Sequence, residues 1–288
     1  MEFYPSLASI ANKYDGFILD LWGVVHDGTA LYPGALECIQ SLRAAEKHII
    51  FLSNAPRRAS SVEAKLTDLG IHSKLYDHVL SSGEVARTFL SQPVHGDALG
   101  LKYFYMGPEK DADLLDGLHY ERTHDMTEAT FILDVDVEYH GQKVEELEPI
   151  LKEARDLALP MVCVNPDIEV VKQDGTHIWC AGAIARHYQK MGGEVSFFGK
   201  PFREVYDTAF TLLDGLRRSA ILAVGDNLDT DILGANEAGI DSALVTGGIL
   251  ARELGPKPDP YALRERCERK GTTPTFVIPG LTWQRETA

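Results

Sequence analysis

The sequence predicts an α/β protein: a parallel sheet covered by helices, in two domains, with the middle one inserted into the outer one. Three observations predict this. Strand-like apolar runs alternate with helix-like runs over nearly all of the 288 residues, which is the βαβ pattern. The middle third repeats the alternation with strands of its own, and the last third returns to it. Finally, the acidic, hydroxyl and basic residues best suited to chemistry fall directly after strands, where an α/β sheet places its sites. Periodicity alone does not separate an insertion from one long sheet.

In chain order, the first strands are Gly16–Asp20, His48–Asn54 and His78–Ser81. Between them, 34–45 carries apolar residues at Leu36, Ile39 and Leu42, and 60–69 at Val62, Leu66 and Leu69, the helical rhythm. The middle strands are Leu101–Met106, Thr130–Asp134, Met161–Asn165 and Val195–Gly199, with helices over 144–157 and 182–191. After Pro201, which suits a first helical position, Phe202, Val205, Tyr206, Ala209, Phe210 and Leu213 continue a helix. Strands Ala220–Gly225, Ser242–Thr246 and Thr275–Ile278 close the chain. The sequence contains no repeat, low-complexity tract or flexible linker.

Composition narrows the function. Apolar residues make up 44% and charged residues 25%, with a formal net charge of -15. That charge argues against gripping nucleic acid or an anionic membrane. An anionic substrate therefore needs a local basic site. Cys38, Cys163, Cys180 and Cys267 form no metal or redox spacing, as expected of thiols in a reducing compartment. There is no secretory signal pattern and no apolar run long enough to span a bilayer, so a cytoplasmic location is expected.

Four strand-end loops carry chemistry. In Asp20-Leu21-Trp22-Gly23, Asp20 suits a nucleophile, a metal ligand or a strand-end cap. In Ser53-Asn54, the hydroxyl and amide can donate to a phosphoryl oxygen, though both residues also suit caps and turns. Arg57 and Arg58 follow, either adding positive charge or standing solvated at a helix start. Lys200 in Phe198-Gly199-Lys200-Pro201 sits where a strand hands over to a helix, a favourable place for an anion. The fourth loop, from Gly225 to Ile232, holds Asp226, Asp229 and Asp231. Such hard oxygen ligands suit magnesium. Asp226 is placed as a ligand, Asp231 as a ligand or as the residue that orients Lys200, and Asp229 as a helix cap.

The order Asp, Ser, Lys and paired Asp, each after a strand, resembles the haloacid dehalogenase superfamily of phosphohydrolases. The insertion between the Ser and Lys loops is similar to its class IIA branch. The resemblance also covers Asn165-Pro166-Asp167, Ala238-Gly239-Ile240 and Thr246-Gly247. It implies a doubly wound Rossmann-like parallel-sheet core, residues 1–82 and 197–288, carrying an inserted α/β cap domain of the class IIA type, residues 83–196. It implies a magnesium-dependent phosphohydrolase acting on a small phosphorylated metabolite. Asp20 is then the nucleophile that becomes an aspartyl-phosphate. Ser53 and Lys200 hold the phosphoryl oxygens. Magnesium is bound by Asp20, the Trp22 backbone carbonyl and Asp226, with Asp231 nearby. Asn54, Arg57, Asn165 and Asp167 are expected near the substrate, with Gly175 and His177 as further contacts. The resemblance also allows a homodimer through the cap.

One position departs from the pattern. Trp22 stands where the family's phosphatases carry the Asp that acts as general acid and base, help typically worth ~10²–10⁴-fold. Alkyl esters should suffer most from its loss, and esters of acidic hydroxyls least. His26 is the candidate substitute on unperturbed pKa, with Asp27 beside it. The alternative function is a phospho-ligand sensor with weakened turnover. Carbon–halogen cleavage shares the nucleophile but needs no metal, which the acidic loop argues against.

Overall fold

The computed structural model describes residues 1–139, 141–171, 176–255 and 257–283. Fourteen strands are present among them: β1 Glu2–Phe3, β2 Gly16–Leu19, β3 His48–Ser53, β4 His78–Ser81, β5 Lys102–Met106, β6 Glu121–Thr123, β7 Phe131–Asp134, β8 Met161–Cys163, β9 Glu169–Val171, β10 His177–Trp179, β11 Val195–Phe197, β12 Ile221–Gly225, β13 Asp241–Val245 and β14 Phe276–Ile278. The α-helices are α1 Ala35–Ala44, α2 Ala59–Asp68, α3 Ser82–Leu90, α4 Pro93–Leu99, α5 Glu148–Asp156, α6 Ala181–Lys190, α7 Arg203–Leu212, α8 Leu233–Ala238, α9 Leu250–Leu254 and α10 Pro260–Lys270.

The core sheet runs β1-β14-β13-β12-β2-β3-β4, every neighbour parallel. From β2 the chain steps outward through β3 and β4. After the insertion it steps outward on the other side through β12 and β13. The strand order therefore reverses between β2 and β12, which opens a crevice at their carboxyl ends. Register fixes what stands there: Leu19 lies opposite both Phe51 and Val224, so Asp20 emerges between the loops that follow β3 and β12.

The segment between β4 and β12 builds its own parallel sheet, β11-β8-β7-β5-β6, with an antiparallel hairpin of β9 and β10. This is the cap sheet.

Apolar side chains alternate across β2. Phe17 and Leu19 enter a cluster with Leu7, Ile10, Ile39 and Phe51, while Ile18 faces the other side. There it joins Ile50 and Leu52, and the same cluster continues through Val85 and Leu90 of α3 to Tyr103, Phe131 and Leu133 of the cap sheet. One apolar body thus underlies both sheets. The outer face of the cap sheet is closed by α5 and α6, through Leu151, Ile184 and Tyr188.

Several details differ from the sequence reading. Pro201 is not a first helical residue: the Phe202 amide donates to the Gly199 carbonyl at 2.9 Å, closing a turn, and α7 begins at Arg203. Asp229 does not cap its helix. Asn227 does, accepting from the Asp229 amide at 2.9 Å, while the Asp229 carboxylate pairs with Lys270 at 2.6 Å. Among the described residues, no helix is long and apolar enough to cross a membrane.

Candidate active site

Asp20 leaves β2 with its amide still donating to the Val224 carbonyl at 2.9 Å. The neighbouring strand β12 therefore positions the residue. Its carboxylate meets the Lys200 ammonium, and the same ammonium lies 2.7 Å from Asp231 Oδ1. Asp231 sits in a π-helical turn, Leu228–Ile232, whose amides at Asp231 and Ile232 both donate to Asn227 O at 3.1 Å. Its other oxygen accepts from the Asn227 amide at 3.2 Å. Asp226 accepts from the Ile249 amide at 2.7 Å. All four side chains are buried.

Ligand oxygens of Asp20, Asp226 and Asp231 lie within 4.8 Å of one another. The surrounding backbone is cut to fit them. A Cβ on Gly23 would come within 2.1 Å of Asp226 Oδ2, one on Gly248 within 2.0 Å of the same atom, and one on Gly225 within 2.1 Å of the Asp231 carboxyl carbon. Gly23 also has φ +86, where a side chain is strained. Three carboxylates against one ammonium is an electrostatic imbalance that a divalent cation corrects, and a donor set of hard oxygens suits magnesium. The residues present therefore fit the ion.

The charges perturb one another in known directions. Burial pushes the Asp20 carboxyl up, Lys200 pulls it down, and Asp231 and Asp226 push it up again, with the balance upward. Burial, reinforced by Asp231, raises Asp226 to about 7. Burial opposes the Lys200 charge, but Asp20, Asp231 and Asp167 outweigh it and keep the ammonium protonated well above the usual lysine range.

Asn54 takes a different role from the one expected of it. Its Oδ1 accepts from the Lys200 amide at 2.7 Å. Its two Nδ2 protons go to Asp167 Oδ1 at 2.9 Å and to the Lys200 carbonyl at 3.1 Å. With both donors engaged, Asn54 fastens Lys200 and the cap rather than offering protons to a phosphoryl oxygen. Arg57 likewise lines the cleft, but its guanidinium is held by a bidentate pair with Asp111 of the cap, at 2.6 and 3.1 Å. Arg58 pairs with Glu84 at 2.8 Å. Ser53 stays at the cleft wall, its Oγ accepting from the Ala55 amide at 3.2 Å.

The cap reaches the site through the turn after β8. The Asn165 side chain accepts from the Asp167 amide at 3.2 Å, and Asp167 meets Asn54. Burial pushes Asp167 up to about 6. His177 is turned to Glu169 across the β9–β10 hairpin, Nδ1 to Oε2 at 2.7 Å, and is not part of the cleft wall. Gly175 lies outside the described residues.

Core and cap together enclose a cleft of about 810 Å³. Asp20, Ser53, Lys200 and Asp226 line its floor, while Asp136, Asn165, Asp167 and Glu169 come from the cap. Lys65, Lys110, Asp136 and Glu169 were not anticipated from sequence. Asp136 had a usable signal, since it follows a strand as Asp20 does.

The departure at position 22 is visible in space. Trp22 lines the cleft, and a Cβ on Gly28 would come within 2.6 Å of its indole ring. His26 packs edge-on to the indole, with ring centroids 6.2 Å apart. His26 is buried rather than solvent-facing, and its Nδ1 accepts from the Gly28 amide at 3.0 Å. Burial, with Lys65 adding to it, lowers its pKa to about 4, so the ring is neutral near pH 7 and poorly matched to acid–base work there. The Asp27 carboxylate closes its own turn, accepting from Thr29 and Ala30.

A strand-end aspartate gripped by a lysine, two further carboxylates on the next strand's loop, and a roof of inserted α/β structure make the arrangement of a capped α/β hydrolase. The comparisons agree. A model described as haloacid dehalogenase-like hydrolase matches residues 17–121, and an HAD-hydrolase-like model matches 197–283. A haloacid dehalogenase-like hydrolase from Brucella suis 1330 superposes with TM-score 0.84 at 30% identity, covering 97% of this chain and 100% of that one. The acid sugar phosphatase of Staphylococcus haemolyticus (strain JCSC1435) is 27% identical over 244 residues, 84% of this chain and 88% of its own. A glycerol phosphate phosphatase from Mycobacterium tuberculosis, solved in complex with calcium, matches with TM-score 0.63 at 26% identity, covering 83% of this chain and 68% of that one. The chain belongs to the haloacid dehalogenase-like hydrolases, among the class IIA phosphatases.

Proposed function

We propose that this chain hydrolyses the monoester of a small phosphorylated metabolite, with magnesium, through an aspartyl-phosphate on Asp20. The observation that carries the reading is the Lys200 ammonium held between Asp20 and Asp231, beside Asp226. Relatives named as an acid sugar phosphatase and a glycerol phosphate phosphatase, the latter solved with a divalent ion, support it.

Asp20, Asp226 and the Trp22 carbonyl would hold magnesium, with Asp231 beside them. When bound there, such an ion would screen the anionic nucleophile from the anionic ester and offset charge in the transition state. Lys200 and Ser53 orient the phosphoryl oxygens. An Asp20 carboxylate oxygen forms a bond to phosphorus as the phosphorus–oxygen bond to the alcohol breaks. Water then attacks phosphorus, releasing phosphate and restoring Asp20. Covalent catalysis divides one hard displacement into two easier ones. Residues 83–196 act as the cap, which selects the substrate and excludes water.

The test is phosphate release from p-nitrophenyl phosphate by the parent protein and Asp20→Asn. Magnesium-dependent release that falls at least ~10³-fold in Asp20→Asn is expected. Equal release by the two proteins would sink the nucleophile. Trp22 favours one second reading, a phospho-ligand sensor. That reading requires the ester to raise thermal stability without any release of phosphate.

A further inference from the structure

We infer that Trp22 makes this cleft selective for phosphate esters of planar, acidic hydroxyls, aryl, heteroaryl or enol phosphates, with the indole serving as the platform for the leaving group. The inference deepens the proposed function and rests on it for the reaction, but not for binding.

Two observations converge. The first is placement. Trp22 lines the cleft two residues from Asp20, and its indole is set by a residue of special conformation. Gly28 has φ +87, and a Cβ there would lie 2.6 and 2.7 Å from indole Cζ3 and Cη2. The backbone therefore lies against the ring at a distance that only glycine permits. His26 packs edge-on from another side, so the ring is held rather than loose. Val62, Val170 and Ile178 line the same cleft, adding apolar wall against which a sugar hydroxyl would lose its hydrogen bonds and a flat ring would not.

The second observation is the fate of the proton. The alcohol that departs from phosphorus needs a proton unless it is stable as an anion. Near position 22, His26 spends Nδ1 on the Gly28 amide, and Asp27 spends its carboxylate on Thr29 and Ala30. The Nδ1 atom of His26 and the Asp27 carboxylate are therefore both occupied within the turn itself. A phenolate or enolate leaves with the bonding pair and takes its proton from water afterwards, so the step balances without an acid. An alkoxide is far more basic and depends on the missing group. Recognition and chemistry thus select the same substrates.

The test measures binding and turnover separately. Calorimetry on the magnesium-loaded protein compares phenylphosphonate with propylphosphonate, neither of which can be hydrolysed. Phenylphosphonate should bind about tenfold more tightly, and Trp22→Leu should erase most of that ratio. Equal affinities in the parent protein overturn the platform, whatever the variant does. So does a ratio that Trp22→Leu leaves intact. For turnover, kcat/KM on p-nitrophenyl phosphate should exceed that on glycerol phosphate by at least ~10²-fold. Trp22→Asp should narrow that gap. Comparable turnover of the aryl and alkyl esters overturns the leaving-group selectivity. Absence of any turnover with the phosphonate ratio intact would defeat the phosphatase reading and leave the platform supported.

Discussion

Lys200 holds two buried carboxylates with one charge, and its own position depends on Asn54. Removing the ammonium would therefore do more than delete the proposed phosphoryl contact. Lys200→Met leaves Asp20 and Asp231 close together with no counter-charge, and breaking one partner of a buried pair typically costs ~3–5 kcal/mol. The expected outcome is a marked drop in melting temperature without magnesium and a larger magnesium-induced rise than in the parent, since the ion would replace the lost positive charge. A melting temperature unchanged by the substitution would show that the ion pair is not as buried as the geometry indicates. At this scale the sequence was informative about identity and less so about partners. Asp20, Lys200, Asp226 and Asp231 follow strands, so their convergence is readable from topology. Asn54 and Arg57 were assigned to the substrate because both can donate to an anion. Only the folded chain shows that both Asn54 amide protons go to Lys200 and Asp167, and that the Arg57 Nε and one Nη proton go to Asp111.

The turn from Asp20 to Gly28 works as a unit. The Gly23 amide donates to the His26 carbonyl at 3.0 Å, and the amides of Val25 and His26 return to Leu21. Gly28 ends the unit in a left-handed conformation beneath the indole. Gly28→Ala should cost about 1–2 kcal/mol from backbone conformation alone, and the added methyl must also displace the Trp22 ring. The predicted result is a lowered unfolding midpoint together with weaker phenylphosphonate binding and little change for propylphosphonate. Loss of stability with the phosphonate ratio preserved would separate the turn from ligand recognition. Elements differ in how well the sequence reports them. The strands β2, β3 and β12 are four to six residues long and almost wholly buried, so apolar runs announce them. β1 and β6 are short edge strands of two and three residues, too brief for a pattern. α10 buries only Leu263 and Cys267 among many charged residues, so no apolar stripe marks it. α3 carries Gly83 inside it, where a Cβ would meet the Arg57 backbone at 2.6 Å. Close packing there needs the residue that weakens the helical signal.

Across the whole molecule, the cap carries a buried acid, Asp134, and a half-buried one, Asp136, that set a pH dependence of stability away from the Asp20, Asp226 and Asp231 cluster. Asp134 ends β7 fully buried, and neither carboxyl oxygen has a hydrogen-bond partner among the described residues. Burial and the neighbouring Asp136 push its pKa well above the usual carboxylate range. Asp136, two residues on, faces the cleft. Burial raises it to about 7, against the pull of the Val137 amide and Arg57. In the unfolded chain both titrate near the ordinary aspartate value, about 3.9. Below that value both states are protonated and these groups contribute nothing to the pH dependence. Between about 4 and 7 the folded state holds more protons than the unfolded one, so stability falls as pH rises. For Asp136 the fall is complete once pH passes its folded value, and Asp134 continues it. Asp134→Asn and Asp136→Asn keep the shape of the side chain without the charge. Relative to the parent protein, each should raise the melting temperature more at pH 8 than at pH 5, by at least ~3 °C for Asp134→Asn. Calorimetric scans at the two pH values give the answer. A variant that shifts the midpoint equally at both would mean that the acid does not titrate in this window. The same charge also faces Arg57, whose pair with Asp111 ties the cap to the core. Ionisation of Asp136 places a second carboxylate beside that guanidinium while it weakens the cap interior.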